Sequence, residues 1–193
     1  IGFFSRQIKN LIGSNIVNIH AFEPSPDNFN LLKANLGPVP GAVLHNYGLS
    51  SHDEMLDLKM DSGNTGNYSF VDSAVKKGQL EDIRQVKVRN SNHVMEELCK
   101  NLSGPFIYKS DTQGFDQFIA CSIDSWFWEK VSIAVFELWR LPSPKQYDTK
   151  LFEQIISGFD NLRFLHKLAE PVAPFEVSEF LAHSDDVHAD LIA

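Results

Sequence analysis

The sequence predicts a single α/β domain built on a largely parallel sheet. Three observations carry that reading. Apolar residues switch repeatedly between strand-like and helical spacing along the chain. The apolar run at 16–22 stops on Glu23 and passes through Pro24, Ser25 and Pro26 into a helical pattern. A second run at 106–108 stops in the same way on the polar pentapeptide Lys109-Ser110-Asp111-Thr112-Gln113. Strands separated by helices favour parallel neighbours, because a parallel pair needs a long crossover connection.

In chain order the spacing predicts a helix over 3–12, a strand over 16–22, a helix over 26–36 and a strand over 42–47. The polar stretch 50–83 holds strand-like pieces at 55–60 and 68–71 and is punctuated by Gly63, Gly66 and Gly78, so it reads as loops or an edge hairpin. A short strand at 86–88 precedes a helix at 93–102, which Ser103-Gly104-Pro105 closes. A strand at 106–110, a helix at 114–122, the most apolar strand at 131–138 and a helix at 147–157 follow. The last two strands are expected at 163–168 and 175–181. Their connector, 169–174, is too short for a crossover helix, so one of the two should run antiparallel.

Composition narrows the function. A chain of 193 residues suits one domain, 1–193, with a full core. The net charge of −8 opposes binding to a phosphate backbone, whose affinity comes largely from Lys and Arg. The longest apolar runs fall far below the ~20 residues needed to span a bilayer, so no membrane insertion is expected. With no signal peptide visible, a cytoplasmic location is the expectation. Cys99 and Cys121 lack CxxC spacing and read as free buried thiols. The seven histidines are scattered without a ligand pattern, and no metal site is assigned. Trp126, Phe127 and Trp128 read as core packing before the strand at 131–138.

A strand that ends on a carboxylate and turns into a helix is how nucleotide-binding α/β folds hold a ribose, since an ionised carboxylate accepts from both hydroxyls. Glu23 is the candidate, and the alternative is a surface carboxylate favoured by the macrodipole at a helix N-terminus. Such folds place a glycine-rich turn about 20 residues before the acid. Gly2 precedes Glu23 by 21 positions and reads as the last glycine of that turn. The strand feeding the turn would lie upstream of residue 1.

Four blocks of the chain carry a family resemblance. They are Ile1-Gly2-Phe3-Phe4-Ser5; Ala21-Phe22-Glu23-Pro24 with Asn28-Phe29; Gly48-Leu49-Ser50 followed by Asn64-Thr65-Gly66-Asn67-Tyr68-Ser69; and Lys109-Ser110-Asp111-Thr112-Gln113-Gly114-Phe115-Asp116. In order and spacing they resemble the FkbM-type S-adenosylmethionine-dependent methyltransferases. The resemblance implies a seven-stranded Rossmann-like sheet of the class I methyltransferase type with an antiparallel last strand. It also implies that the first strand and its Asp-x-Gly loop are missing from this chain. Residues 1–193 alone are then not expected to bind the cofactor normally. Two positions depart mildly from the family pattern, Ser110 where an apolar residue is usual and Asp116 where glutamate is usual.

The resemblance also implies roles. Glu23, with Pro24 fixing the backbone after it, would hold the cofactor ribose, and Asn28 would contact the same region. Gly48, Leu49 and Ser50 would lie near the adenine, unless they form an ordinary strand-end turn. Asn64, Asn67 and Ser69 would make a polar loop over the acceptor, although Asn and Gly also favour a plain hairpin turn. Asp111 would orient or deprotonate an acceptor hydroxyl. Lys109 would lower the acceptor's pKa or pair with Asp111. Glu137, at the end of the strand at 131–138, would bind substrate hydroxyls or cap a helix. The expected activity is O-methylation of a small molecule or glycan. The alternatives are a nicotinamide-dependent oxidoreductase, for which no GxGxxG is present, and a non-catalytic Rossmann-like binding domain.

Overall fold

The computed structural model describes residues 1–13, 18–71, 80–139, 147–165, 170–183 and 188–193. Expectations at 16–17, Gly78 and 166–168 lie outside these residues. The described chain is mixed α/β, with partly parallel sheets.

Helix α1 (Phe3–Ile12) follows Gly2, whose φ of 75° is left-handed. A side chain there would be doubly disfavoured, since a Cβ would also lie 2.9 Å from Leu32 Cδ1. That close approach sets α1 against α2 (Pro26–Leu36). Between the two helices, β1 (Ile19–Phe22) pairs in parallel with β2 (Ala42–His45), which follows α2. Helix α2 starts where its sequence dictates. Ser25 Oγ accepts the Asn28 amide at 3.4 Å, Pro26 opens the first turn, and Leu32 and Leu36 are buried on its inner face.

The stretch read as an edge hairpin is longer and more regular than its sequence suggests. Strand β4 (Glu54–Asp61) runs antiparallel to β5 (Leu80–Asn90), and the short β3 (Gly48–Ser50) joins the other side of β5 in parallel. Asn90 then caps α3 (Ser91–Cys99) by accepting the His93 amide at 2.9 Å.

A third sheet has the order β6-β7-β9-β8, formed by β6 (Phe106–Lys109), β7 (Val131–Trp139), β8 (Arg163–Phe164) and β9 (His188–Ile192). Strands β6 and β7 are parallel, and β9 is antiparallel to both β7 and β8. The expected antiparallel strand is therefore present in a different place. Residues 175–181 form part of helix α7 (Pro174–His183), and the antiparallel strand is β9, inserted between β7 and β8. Val177, Phe180 and Leu181 turn inward onto the core at helical spacing, and Pro174 suits a helix start. Among the described residues β1 pairs only with β2, and β6 only with β7. The two strands that end at Glu23 and before Asp111 are not bonded to each other.

The main core lies between the third sheet and helices α4 (Asp116–Cys121), α5 (Ser125–Trp128) and α6 (Thr149–Ser157). Phe136 and Leu138 of β7 are fully buried, with Phe115, Trp128, Phe152 and Ile156 around them. The Trp126–Trp128 cluster is the short helix α5, and Phe127 and Trp128 pack inward as expected.

Candidate functional site

Two clusters of polar residues form where β1, β6 and β7 end, and one loop ties them together. At the first, the Ser25 amide donates to Glu23 Oε1 at 2.8 Å, while Asn46 Nδ2 donates to the Glu23 carbonyl at 2.9 Å. Burial raises the Glu23 carboxyl to about 7, against the lowering effect of the Ser25 bond. Pro24 packs beneath Gly48, where a Cβ would come within 3.4 Å of the proline ring. Asn28 is buried. Its Nδ2 donates to the Thr65 carbonyl at 3.0 Å, whereas its Oδ1 is enclosed with no hydrogen-bond partner.

The second cluster follows β6. Lys109 Nζ lies 2.9 Å from Asp111 Oδ2 and 5.4 Å from the centre of the Phe4 ring. Gln113 Nε2 donates to Asp111 Oδ1 at 3.1 Å and to the two Glu137 oxygens at 3.2 and 3.0 Å. The fully buried Asp116 fixes the base of this loop, accepting the Thr112 amide at 3.2 Å and the Thr112 hydroxyl at 2.7 Å. Its carboxyl is raised to about 6 by burial, moderated by the nearby Ser110 hydroxyl and the Thr112 bonds.

The loop between the clusters carries Asn64, Asn67 and Ser69. Asn64 Oδ1 accepts the Gly66 amide at 2.9 Å and starts a 3-10 turn at Thr65–Asn67, and Asn67 Nδ2 donates to Asp61 Oδ2 at 3.2 Å. The Ser69 hydroxyl donates to the Gln113 carbonyl at 2.6 Å. Thr65 thus holds the start of α2 while Ser69, four residues on, holds the loop after β6. The structure brings Glu23, Pro24, Asn28 and Gly48 together on one side, and Lys109, Asp111, Glu137 and Ser69 on the other. Leu49 and Ser50 point elsewhere. Leu49 packs into the core, and the fully buried Ser50 bonds Glu54 Oε1 at 3.2 Å and accepts the Ser91 hydroxyl on its carbonyl at 3.0 Å. Gly2 packs on α2.

Sequence reasoning assigned no role to Gln113, although it sits at the centre of the second cluster. Its only sequence signal is its place in the polar run before Gly114. Among the described residues no group of three or more His, Cys, Asp or Glu is arranged to hold a metal, and no helix is long and apolar enough to cross a membrane. A cavity of about 610 Å³ between α1 and the end of α2, with Arg6 and Lys9 on its wall, includes none of these site residues.

The two acids of the second cluster have opposite tendencies. Burial and the charges of Asp111, Asp116 and Asp190 push Glu137 up to about 8, with the neighbouring Trp139 side chain opposing the rise. At Asp111 burial acts upward, but the Lys109 charge and bonds from Lys109, Gln113 and Glu137 outweigh it and hold the carboxyl below its ordinary value. The raised Glu137 value has a measurable consequence. A carboxyl whose folded pKa exceeds its unfolded one stabilises the fold fully below the unfolded value, near 4.5, and loses that contribution as pH rises through about 8. Glu137→Gln, which stays neutral, should therefore gain stability on the wild type by about 3 kcal/mol between roughly pH 6 and pH 9. Urea midpoints of both proteins across that range read the difference directly. A constant difference would mean that Glu137 ionises as an ordinary carboxyl. His20 and His45, both lowered mainly by burial, titrate in each protein and cancel.

No protein-family model matches the chain, and no curated protein or solved structure matches it significantly.

Proposed function

We propose that the chain is an S-adenosylmethionine-dependent O-methyltransferase domain acting on a hydroxyl of a small molecule or glycan. The observation that carries the reading is the placement of Glu23, at the end of β1, and Asp111, after β6, on strands not bonded to each other and bridged by the loop at 64–69. Ligands of open α/β sheets bind outside the carboxyl ends of strands, where both residues lie. The antiparallel β9 between β7 and β8 supports the same sheet type.

The residues present suit the cofactor. Glu23 offers a carboxylate to the ribose hydroxyls, and the enclosed Asn28 Oδ1 is an acceptor for a ligand donor. When bound, S-adenosylmethionine supplies an electrophilic methyl group on a cationic sulfur. Asp111 orients the acceptor hydroxyl and takes its proton, with Lys109 holding the Asp111 carboxylate ionised. Ser69 fixes the backbone of the loop that carries Asp111, and Glu137 lies beside it.

Titration calorimetry of the full gene product, including any segment before Ile1, tests the reading with S-adenosylmethionine, S-adenosylhomocysteine and NAD. Binding of the first two and not the third is expected. NAD binding would make the protein a nicotinamide-dependent oxidoreductase, and binding of none would leave a non-catalytic domain. In the same assay Glu23→Gln should weaken S-adenosylhomocysteine by roughly 10- to 150-fold, the loss of a hydrogen bond to a charged group at about 1.5–3 kcal/mol. Because ribose hydroxyls donate to the ionised carboxylate, wild-type affinity should rise as pH passes about 7. Unchanged affinity in the variant removes Glu23 from the site.

A further inference from the structure

We propose that Gln113 is a positioning residue that clamps Asp111 and Glu137 into one carboxyl pair sharing a single proton. The use of the pair rests on the methyltransferase reading, but its existence does not. Gln113 reaches both acids through its side-chain amide, 3.1 Å from Asp111 and 3.2 and 3.0 Å from the oxygens of Glu137, and its backbone amide also donates to Glu137 Oε2 at 3.3 Å. That reach depends on an uncommon backbone. Gln113 has φ 55°, in the left-handed region that residues with side chains rarely occupy. The Ser69 hydroxyl holds its carbonyl, and Gly114 follows at φ 94°, where a Cβ would meet Val71 Cγ2 at 3.3 Å and Trp139 Cβ at 3.6 Å. A costly conformation fixed from both sides marks a residue whose placement matters.

Two carboxylates this close do not both ionise freely. The groups facing Glu137 are Asp111 from the loop after β6, Asp116 from α4 and Asp190 opposite it on β9. The nearby cation, Lys109, bonds Asp111. Asp111 therefore keeps the charge and Glu137 the proton, and the pair carries one net negative charge. In methyl transfer the acceptor's O–H bond breaks and its proton bonds to Asp111. The electron pair freed on oxygen bonds the methyl carbon, whose bond to sulfur breaks with that pair remaining on sulfur. The cationic sulfur and the anionic carboxyl pair are thus neutralised in one step.

Carbon-13 NMR of the side-chain carboxyls across pH tests the pair without any methyl transfer. Glu137 should titrate near 8 in the wild type. Asp111→Asn should lower that midpoint by more than about one pH unit, the mark of two coupled sites. In a Gln113→Ala background the same Asp111→Asn change should move it less than roughly half as far. Gln113→Met keeps the side-chain length without its donors and serves in place of Gln113→Ala if alanine disturbs the loop. Titration of wild-type Glu137 in the ordinary carboxylate range, or a midpoint unmoved by Asp111→Asn, overturns the pair. An equal effect of Asp111→Asn with and without Gln113 overturns the clamp. If the pair titrates as described while S-adenosylmethionine and S-adenosylhomocysteine fail to bind, the methyltransferase reading alone falls.

Discussion

Asp111→Asn is expected to lower methyl transfer by about 10²–10⁴-fold while cofactor affinity changes little. The substitution keeps the shape of the side chain and removes its charge. Two consequences follow from the geometry, since Lys109 loses the partner that lies at 2.9 Å and Glu137 loses the neighbouring charge that helps to hold its carboxyl near 8. On the proposed methyltransferase reading the acceptor hydroxyl also loses its proton acceptor. Single-turnover rates at saturating cofactor, beside calorimetric affinities, separate the effects. A large loss of affinity with turnover intact at saturation would make Asp111 a cofactor ligand. Wild-type values of both would leave it as the ion-pair partner of Lys109.

Much of the fold was legible because local signals and burial agreed. Helices α1 and α2 fall where expected, and the Ser25–Pro26 start of α2 works as capping chemistry requires. Strand β7 was the plainest segment, since its stretch from Ala134 to Leu138 is buried or half-buried on both faces and reads as a nearly continuous apolar run. The C-terminal end was misread for a definite reason. Phe175-Glu176-Val177 alternates like a strand, yet Phe175 is exposed while Val177 is buried, so the alternation does not mark one inner face. The true last strand, His188–Ile192, has buried Ala189 and Leu191 at alternate positions, but five residues beside an acidic stretch give a weak signal. The long β4–β5 pair was also underestimated. Its alternate residues face solvent, with Met55, Leu80 and Ile83 exposed, so apolar periodicity does not mark a buried face throughout.

The site divides along the same line. The positions of Glu23, directly after β1, and of Asp111, two residues past β6, were legible because each is set by local sequence. Gln113 escaped because its importance comes from contacts with Glu137, 24 residues away, and Ser69, 44 residues away. Leu49 and Ser50 show the converse. Their position after a strand suggested contact with a base, while burial against the core and Ser91 is decided by β5 and α3, which come later in the chain.

Phe136→Ala should produce the largest loss of stability of any single substitution considered, about 3–5 kcal/mol. Phe136 is fully buried in β7, with its ring centre 5.5 Å from that of Tyr108, 5.8 Å from Trp128 and 5.5 Å from Phe152. These partners come from β6, α5 and α6, so a cavity there loosens the joint between the sheet and the helices covering it. The surrounding rings are held by further neighbours, Trp128 against Tyr108 at 5.1 Å and Phe152 against Tyr147 at 6.3 Å, which limits their collapse into the space. Against the 5–15 kcal/mol typical of a native domain, the loss is a large fraction of the whole. The control lies on the same strand. Ile133 is 44% exposed, and Ile133→Ala should cost less than about 1 kcal/mol because little apolar surface leaves the core. Urea unfolding of both variants, with the slope compared to that of the wild type, makes the measurement. Equal losses at the two positions would show that β7 does not face the core as described. A small loss at Phe136 alone would show that Tyr108, Trp128 and Phe152 can close over the gap.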